Sequence, residues 1–171
     1  DDTDIYIEQL NPSNKQQYKV GDSFVPFNTN KEIIKIHGSK SKTINLLWAD
    51  YRPVIPNNFF DINQIMPQNN VASIKSTALD SFDKSYSSLF NMTTQTNIKS
   101  AQSQFNDYVT PIYNMVLADK DNVSLKVIGK IPRRNPNHFG QGRLPSQGWL
   151  KRNQWNGYYD YLENPAIMNP D

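Results

Sequence analysis

Apolar residues recur at helical spacing between Ser76 and Asp119 for longer than anywhere else in the chain. Ala78, Leu79, Phe82, Tyr86, Leu89 and Phe90 form one stripe, and Ile98, Ala101, Phe105, Tyr108, Val109, Ile112, Tyr113 and Val116 form a second. The pattern predicts two helices. Ser76 or Thr77 caps the first, the polar run 91–96 interrupts, and Thr94 or Thr96 caps the next. Asp80 and Lys84 stand one turn apart on the outer face. Pro111 falls on the polar side of the second stripe. Because the stripe keeps phase through Val116, the expectation is a helix that bends at Pro111 and continues. The competing reading stops it near Val109, since a residue before proline disfavours helical geometry.

Before this stretch the period is two. Residues 4–10 alternate weakly with Ile5 and Ile7 on one face, which predicts a strand. Residues 23–27 form a second strand, which Pro26 pushes toward an edge. Residues 32–37 and 43–48 predict a hairpin across the flexible connector Gly38–Lys42. Residues 51–70 carry Pro53, Pro56 and Pro67, which forbid long elements, with Phe59, Phe60, Ile62, Ile65 and Met66 expected to pin the segment to the core. A further strand follows at 123–131. Prolines and glycines then return, and 147–162 suggests a short helix weakened by Gly148 and Gly157.

Strands first and helices afterwards argue an α+β fold. The expected architecture is an antiparallel sheet, the N-terminal strands plus the one late strand, packed on one face by one or two helices. An irregular aromatic C-terminal arm completes it. A β-sandwich with a helical insertion is the alternative. Residues 1–131 read as the core domain and 132–171 as a Pro/Gly/aromatic-rich arm. The expected core sets Phe82, Leu89, Phe105, Val109, Ile112 and Val116 against Ile34, Ile36, Ile44 and Leu46 of the hairpin.

Composition narrows the chemistry. A hydrophobic fraction of 37% over 171 residues supports one real core, and a net charge of +2 gives no global argument for nucleic acid. The absence of cysteine excludes disulfides and thiol catalysis. The polar start Asp1-Asp2-Thr3-Asp4 resembles a mature end after signal removal, which implies a secreted, periplasmic or cell-surface location.

The one marked departure from a bland domain is residues 123–159, which contain no Asp or Glu. Lys126, Lys130, Arg133, Arg134, Arg143, Lys151 and Arg152 lie there among Phe139, Trp149, Trp155, Tyr158 and Tyr159. Cations beside aromatics suit an anionic partner; they also suit a small satellite core with solvated charges around it. The candidate partner-binding set is Arg133, Arg134, His138, Phe139, Arg143, Trp149, Lys151, Arg152, Trp155 and Tyr158. The partners expected are proteins of an assembly, with homo-oligomers included and nucleic acid or another polyanion as the alternative. His138 is a candidate general base, with Asp160 or Glu163 as its orienter and Arg143 for charge stabilisation. Two histidines without a pairing do not suggest zinc, and the chain carries no pattern for a cofactor. Taken together, these features predict an exported, non-enzymatic binding or structural module of an extracytoplasmic assembly of secretion, pilus or virion type. A polyanion binder and a hydrolase centred on His138 are the alternatives.

Overall fold

The computed structural model describes residues 2–56, 59 and 62–169. The chain divides into two compact units. A sheet unit comprises Asp4–Lys75 and Asn135–Gln154; a helical unit comprises the residues up to Thr3, Ser76–Arg134 and the chain from Trp155 on. The C-terminal stretch 132–171 is thus shared between the two.

The elements run β1 (Thr3–Asn11), β2 (Asn14–Val20), β3 (Ser23–Pro26), β4 (Asn28–Ile34), β5 (Lys42–Ala49), β6 (Arg52–Ile55), α1 (Ile62–Ile65) and β7 (Asn70–Ser76). They continue with α2 (Ser85–Met92), α3 (Ile98–Ser103), β8 (Tyr113–Ala118), β9 (Val123–Ile128), β10 (Pro132–Arg134), β11 (Ser146–Gln147), β12 (Trp155–Tyr158) and β13 (Ala166–Met168). The coarse class is α+β.

In the sheet unit the strands run in the order β3-β2-β1-β7-β6-β5-β4, and β11 adds to β1 in parallel, Tyr6 opposite Ser146. The hairpin β4–β5 pairs from Asn28↔Trp48 to Ile34↔Lys42. Its exposed outer half is not the expected core: Ile34 and Leu46 face solvent, as does Ile36 just beyond β4. The core of this unit is instead Tyr18, Phe27 and Ala49, with Leu10, Val25, Leu47, Val54 and Val71 packed on it. The Tyr18 and Phe27 rings stack at 4.7 Å. Phe59 and Ile65 are exposed rather than pinned inward, and Phe60 lies outside the described residues.

Strand β1 turns its polar face inward. Asp4, Tyr6 and Glu8 are buried while Ile5 is exposed. A period of two says which residues share a face, not which face turns inward. The polar face can be inside because partners distant in sequence satisfy it.

In the helical unit, α2 spans eight residues and α3 six. Asn97 caps α3, its side chain accepting from Ser100 N, rather than either threonine; Ser76 caps a 3-10 turn at Thr77–Leu79. The second helix ends at Ser103, well before Pro111. The Thr110–Pro111 peptide is cis, and Tyr113–Ala118 is strand β8, paired antiparallel with β9 from Tyr113↔Ile128 to Ala118↔Val123. Turns at 104–107 follow the helix, so it has ended earlier than either reading of the stripe placed it. The late strand β9 belongs to its own three-stranded sheet, ordered β13-β9-β8, and is not a member of the sheet formed by the N-terminal strands.

Phe105, Tyr108 and Ile128 form this unit's core, with Met92, Met115 and Tyr161 against it. Phe105 and Val109 are buried as expected, but Phe82, Leu89 and Val116 are exposed. In α2 the buried side is Ser85 and Ser88. Ser85 Oγ accepts from the backbone N–H groups of Val109 and Thr110, both at 2.9 Å, so a serine is required where the stripe would place a hydrophobe. Asp80 and Lys84 do not pair with each other: Asp80 holds Lys130 at 2.7 Å and Lys84 holds Asp107 at 2.8 Å. The expected helix at 147–162 is replaced by 3-10 turns at Lys151–Asn153 and Tyr161–Glu163 with β12 between them.

Candidate functional site

The inward face of β1 builds the most elaborate polar arrangement of the sheet unit. Glu8 Oε1 accepts from Ser73 Oγ at 2.6 Å and from Arg52 Nε at 3.0 Å, and Arg52 Nη2 lies 2.9 Å away. Arg52 Nη1 donates to Gln154 Oε1 at 2.9 Å, and Gln154 Nε2 donates to the Gly148 carbonyl at 2.7 Å. The guanidinium lies 4.7 Å over the Tyr6 ring, whose hydroxyl donates to the Asn153 carbonyl at 2.9 Å. These contacts draw β1, β6, β7 and the segment 148–154 onto one buried ion pair. With its donors so engaged, Arg52 organises the site and does not present a free cation.

Four residues earlier on the same face, Asp4 Oδ2 lies 3.3 Å from His138 Nε2, both side chains fully buried. His138 Nδ1 stands 2.6 Å from the Phe139 carbonyl, to which Ser146 Oγ also donates at 2.7 Å. A carbonyl only accepts, so Nδ1 carries a proton. The expected partners of a catalytic His138, Asp160 and Glu163, belong to the other unit, and Arg143 is exposed and turned to the Gly140 carbonyl at 3.5 Å. His138 is a buried tie between β1 and the loop before β11.

Beside the Glu8–Arg52 pair a groove of about 940 Å³ opens. Tyr18, Lys19 and Asp22 form one wall, Trp149, Leu150 and Lys151 the other, and Arg52 and Gln154 part of the lining. The Gly21 N–H donates to the Trp149 carbonyl at 3.0 Å, and Lys19 Nζ lies 5.8 Å from the Trp149 ring centroid. Asp50, which also lines the groove, turns the chain between β5 and β6 with φ 58°. Burial pushes the Tyr18 phenol up from its ordinary value, partly offset by Arg52. Burial, and next the Arg52 charge, hold the Lys75 ammonium below its ordinary value. The groove offers aromatic faces, cations at its rim and a saturated ion pair in its lining. That combination can hold an uncharged or anionic group with an apolar part.

The ten sequence-derived candidates separate into two sets. Trp149 and Lys151 line the groove, Arg152 is exposed beside them in sequence, and Phe139 and Arg143 are exposed at the start of the turn 139–142 and just after it. In the helical unit, Arg133, Arg134, Trp155 and Tyr158 are gathered by the antiparallel pair β10–β12. Arg134 lies 5.8 Å from the Trp155 ring centroid, Trp155 meets Tyr158 edge-on at 5.9 Å, and Arg133 Nε donates to the Tyr158 carbonyl at 3.0 Å. Arg133 also pairs with Glu163, an acid that folding brings to the carboxylate-free stretch. Glu163 sits below the usual carboxylate range because the Asp160 N–H, and then Arg133, bond to its charged form.

Sequence reasoning missed Asp4, Glu8, Arg52 and Ser73. The only sign of the first two was that Asp4, Tyr6 and Glu8 share a period-two face; nothing in their spacing pairs Glu8 with Arg52. Among the described residues no cluster of three or more His, Cys, Asp or Glu is placed to hold a metal ion.

The model of the penicillin amidase family matches residues 1–171. The chain belongs to the penicillin amidase family. Among curated relatives, the acyl-homoserine lactone acylase QuiP of Pseudomonas putida is 26% identical over 173 residues, covering 99% of this chain and 20% of that protein. QuiP of Pseudomonas fluorescens is 33% identical over 88 residues, covering 52% of this chain and 10% of that protein. The chain thus spans about a fifth, or less, of the length of these penicillin amidase relatives. A solved thermostable penicillin G acylase from Alcaligenes faecalis shares the fold, with a TM-score of 0.80 at 23% identity over 99% of this chain and 29% of that one. Penicillin amidase membership overturns the expectation of a non-enzymatic structural or assembly module, because the family and its named relatives are acylases. Composition could not reveal this: a polar, cysteine-free surface and a basic stretch are compatible with either class.

Proposed function

We propose that the protein carrying this chain hydrolyses N-acyl amides, adding water to release a carboxylic acid and an amine. The observation that carries the reading is the penicillin amidase match over residues 1–171. The relatives named acyl-homoserine lactone acylases support a substrate with an acyl chain on an amide nitrogen. Within that enzyme the groove between Tyr18 and Trp149 is read as a wall for part of the substrate away from the reacting bond. Its aromatic faces suit an apolar portion, and Lys19 and Lys151 suit a polar end.

The test is amine release from N-acyl homoserine lactones of graded chain length and from penicillin G, using the native protein that carries this chain. Hydrolysis of neither substrate class would sink the hydrolase reading. Trp149→Ala should raise KM roughly tenfold with kcat within about twofold, the pattern of a lost binding contact. An unchanged KM would remove the groove from the reading and leave the hydrolase intact.

A further inference from the structure

Strand β4 is the edge of the sheet, and every one of its residues from Asn28 to Ile34 is exposed. The connection to β5 continues the exposure through Ser41. Ile33 is 61% exposed, and Ile34 and Ile36 are each 46% exposed, so the hairpin end carries three large apolar side chains in water. Between Lys31 and Lys42 the sequence has four lysines, Lys31, Lys35, Lys40 and Lys42, against one acid, Glu32. Among the described residues no carboxylate forms an ion pair with any of the four.

The faces decide what could cover this tip. Ile33 stands opposite Thr43 and Ile34 opposite Lys42, and consecutive strand residues point to opposite faces of the ribbon. A flat protein partner laid on one face buries one of these isoleucines and leaves the other in water. A medium that surrounds the tip buries both. The unpaired backbone groups of an edge strand exclude the dry hydrocarbon interior but are tolerated in the hydrated headgroup layer. Uncompensated lysines beside apolar side chains select a surface that is negatively charged and has hydrocarbon just beneath it.

We propose that the β4–β5 hairpin tip docks the protein on anionic lipid headgroups. Ile33, Ile34 and Ile36 enter the headgroup–acyl boundary, and Lys35, Lys40 and Lys42 meet the phosphates. This surface is independent of the groove beside Trp149.

The test is flotation of the native protein with vesicles of phosphatidylcholine alone and of phosphatidylcholine with an equal part of phosphatidylglycerol, at low and high salt. Recovery with the anionic vesicles only, falling at high salt, is expected. Replacing Lys35, Lys40 and Lys42 by Gln should weaken partitioning about a hundredfold, at about fivefold per lysine. Replacing Ile33, Ile34 and Ile36 by Ser should weaken it as well. All six side chains are exposed, and an unchanged melting temperature in both variants confirms that folding is intact. No recovery of the unaltered protein, or equal recovery on neutral vesicles, overturns the proposal. So does capture by immobilised polyglutamate with the isoleucine variant floating normally, which would assign the tip to an acidic protein.

Discussion

Gly148 lies against the buried carboxylate of Glu8, so that a Cβ on residue 148 would stand 2.2 Å from Oε2. The contact is tight because the Gly148 N–H also donates to the Ile7 carbonyl at 2.9 Å, which fixes the backbone beside β1. The glutamate cannot swing away, since Arg52 and Ser73 hold its other oxygen. Gly148→Ala should therefore destabilise the fold by about 1–3 kcal/mol, the range for an overpacked interior. Urea unfolding of the variant reads it directly, and a loss below about 0.5 kcal/mol would show that the carboxylate has room to move.

The Glu8–Arg52 pair should behave as one unit. Arg52→Met leaves a buried carboxylate without its cation and should cost about 3–5 kcal/mol. The double variant Glu8→Gln, Arg52→Met should lose clearly less than the sum of the two single changes, because neither partner is then left charged and unpaired. Denaturant melts of the four proteins complete the cycle, and strict additivity would contradict the coupling.

Two phenylalanines that look equivalent in the apolar pattern should differ sharply. Phe105 is 0% exposed and Phe82 is 84% exposed. Phe105→Ala should cost about 3–5 kcal/mol. Phe82→Ala in this chain should change stability by less than about 0.5 kcal/mol, as for other surface positions. Thermal melts of the two variants are sufficient, and a large loss at Phe82 would place it in a core that the structure does not show.

Acid should unfold the helical unit in part through Asp80. The hydrogen bond from Lys130, and next that from the Phe82 N–H, hold the Asp80 carboxyl below its ordinary value of 3.8. A lowered folded-state value means that the ionised form is favoured in the folded protein. The resulting stability is fully present above the unfolded-state value and is lost as pH falls through the folded one. Asp80→Asn should remove that component, flattening the stability profile below about pH 4 without altering its shape near neutrality. Urea midpoints across the acid range test it, and a profile identical to that of the unaltered protein would sink the assignment.

Short-range patterns could be read from the residues alone. The β4–β5 hairpin, the interruption between two helical stripes, the strand at Val123–Ile128 and the α+β class all follow from local periodicity and turn chemistry. Where the chain and the fold part company, a long-range contact outweighs the local signal. Val116 keeps helical phase with Phe105 yet lies in β8, because the helix has already ended at Ser103 and pairing with β9 satisfies the backbone of Val116. Ser85 displaces a hydrophobe from the inner side of α2 because two backbone N–H groups near Val109 need an acceptor. The site follows the same rule. Alternation puts Asp4, Tyr6 and Glu8 on a common face, but burial of that face depends on Arg52, Ser73, His138 and Asn153, which lie tens to more than a hundred residues away in sequence. A buried charge is affordable only where its partner is already in place, and spacing within one strand carries no information about a partner that folding must deliver.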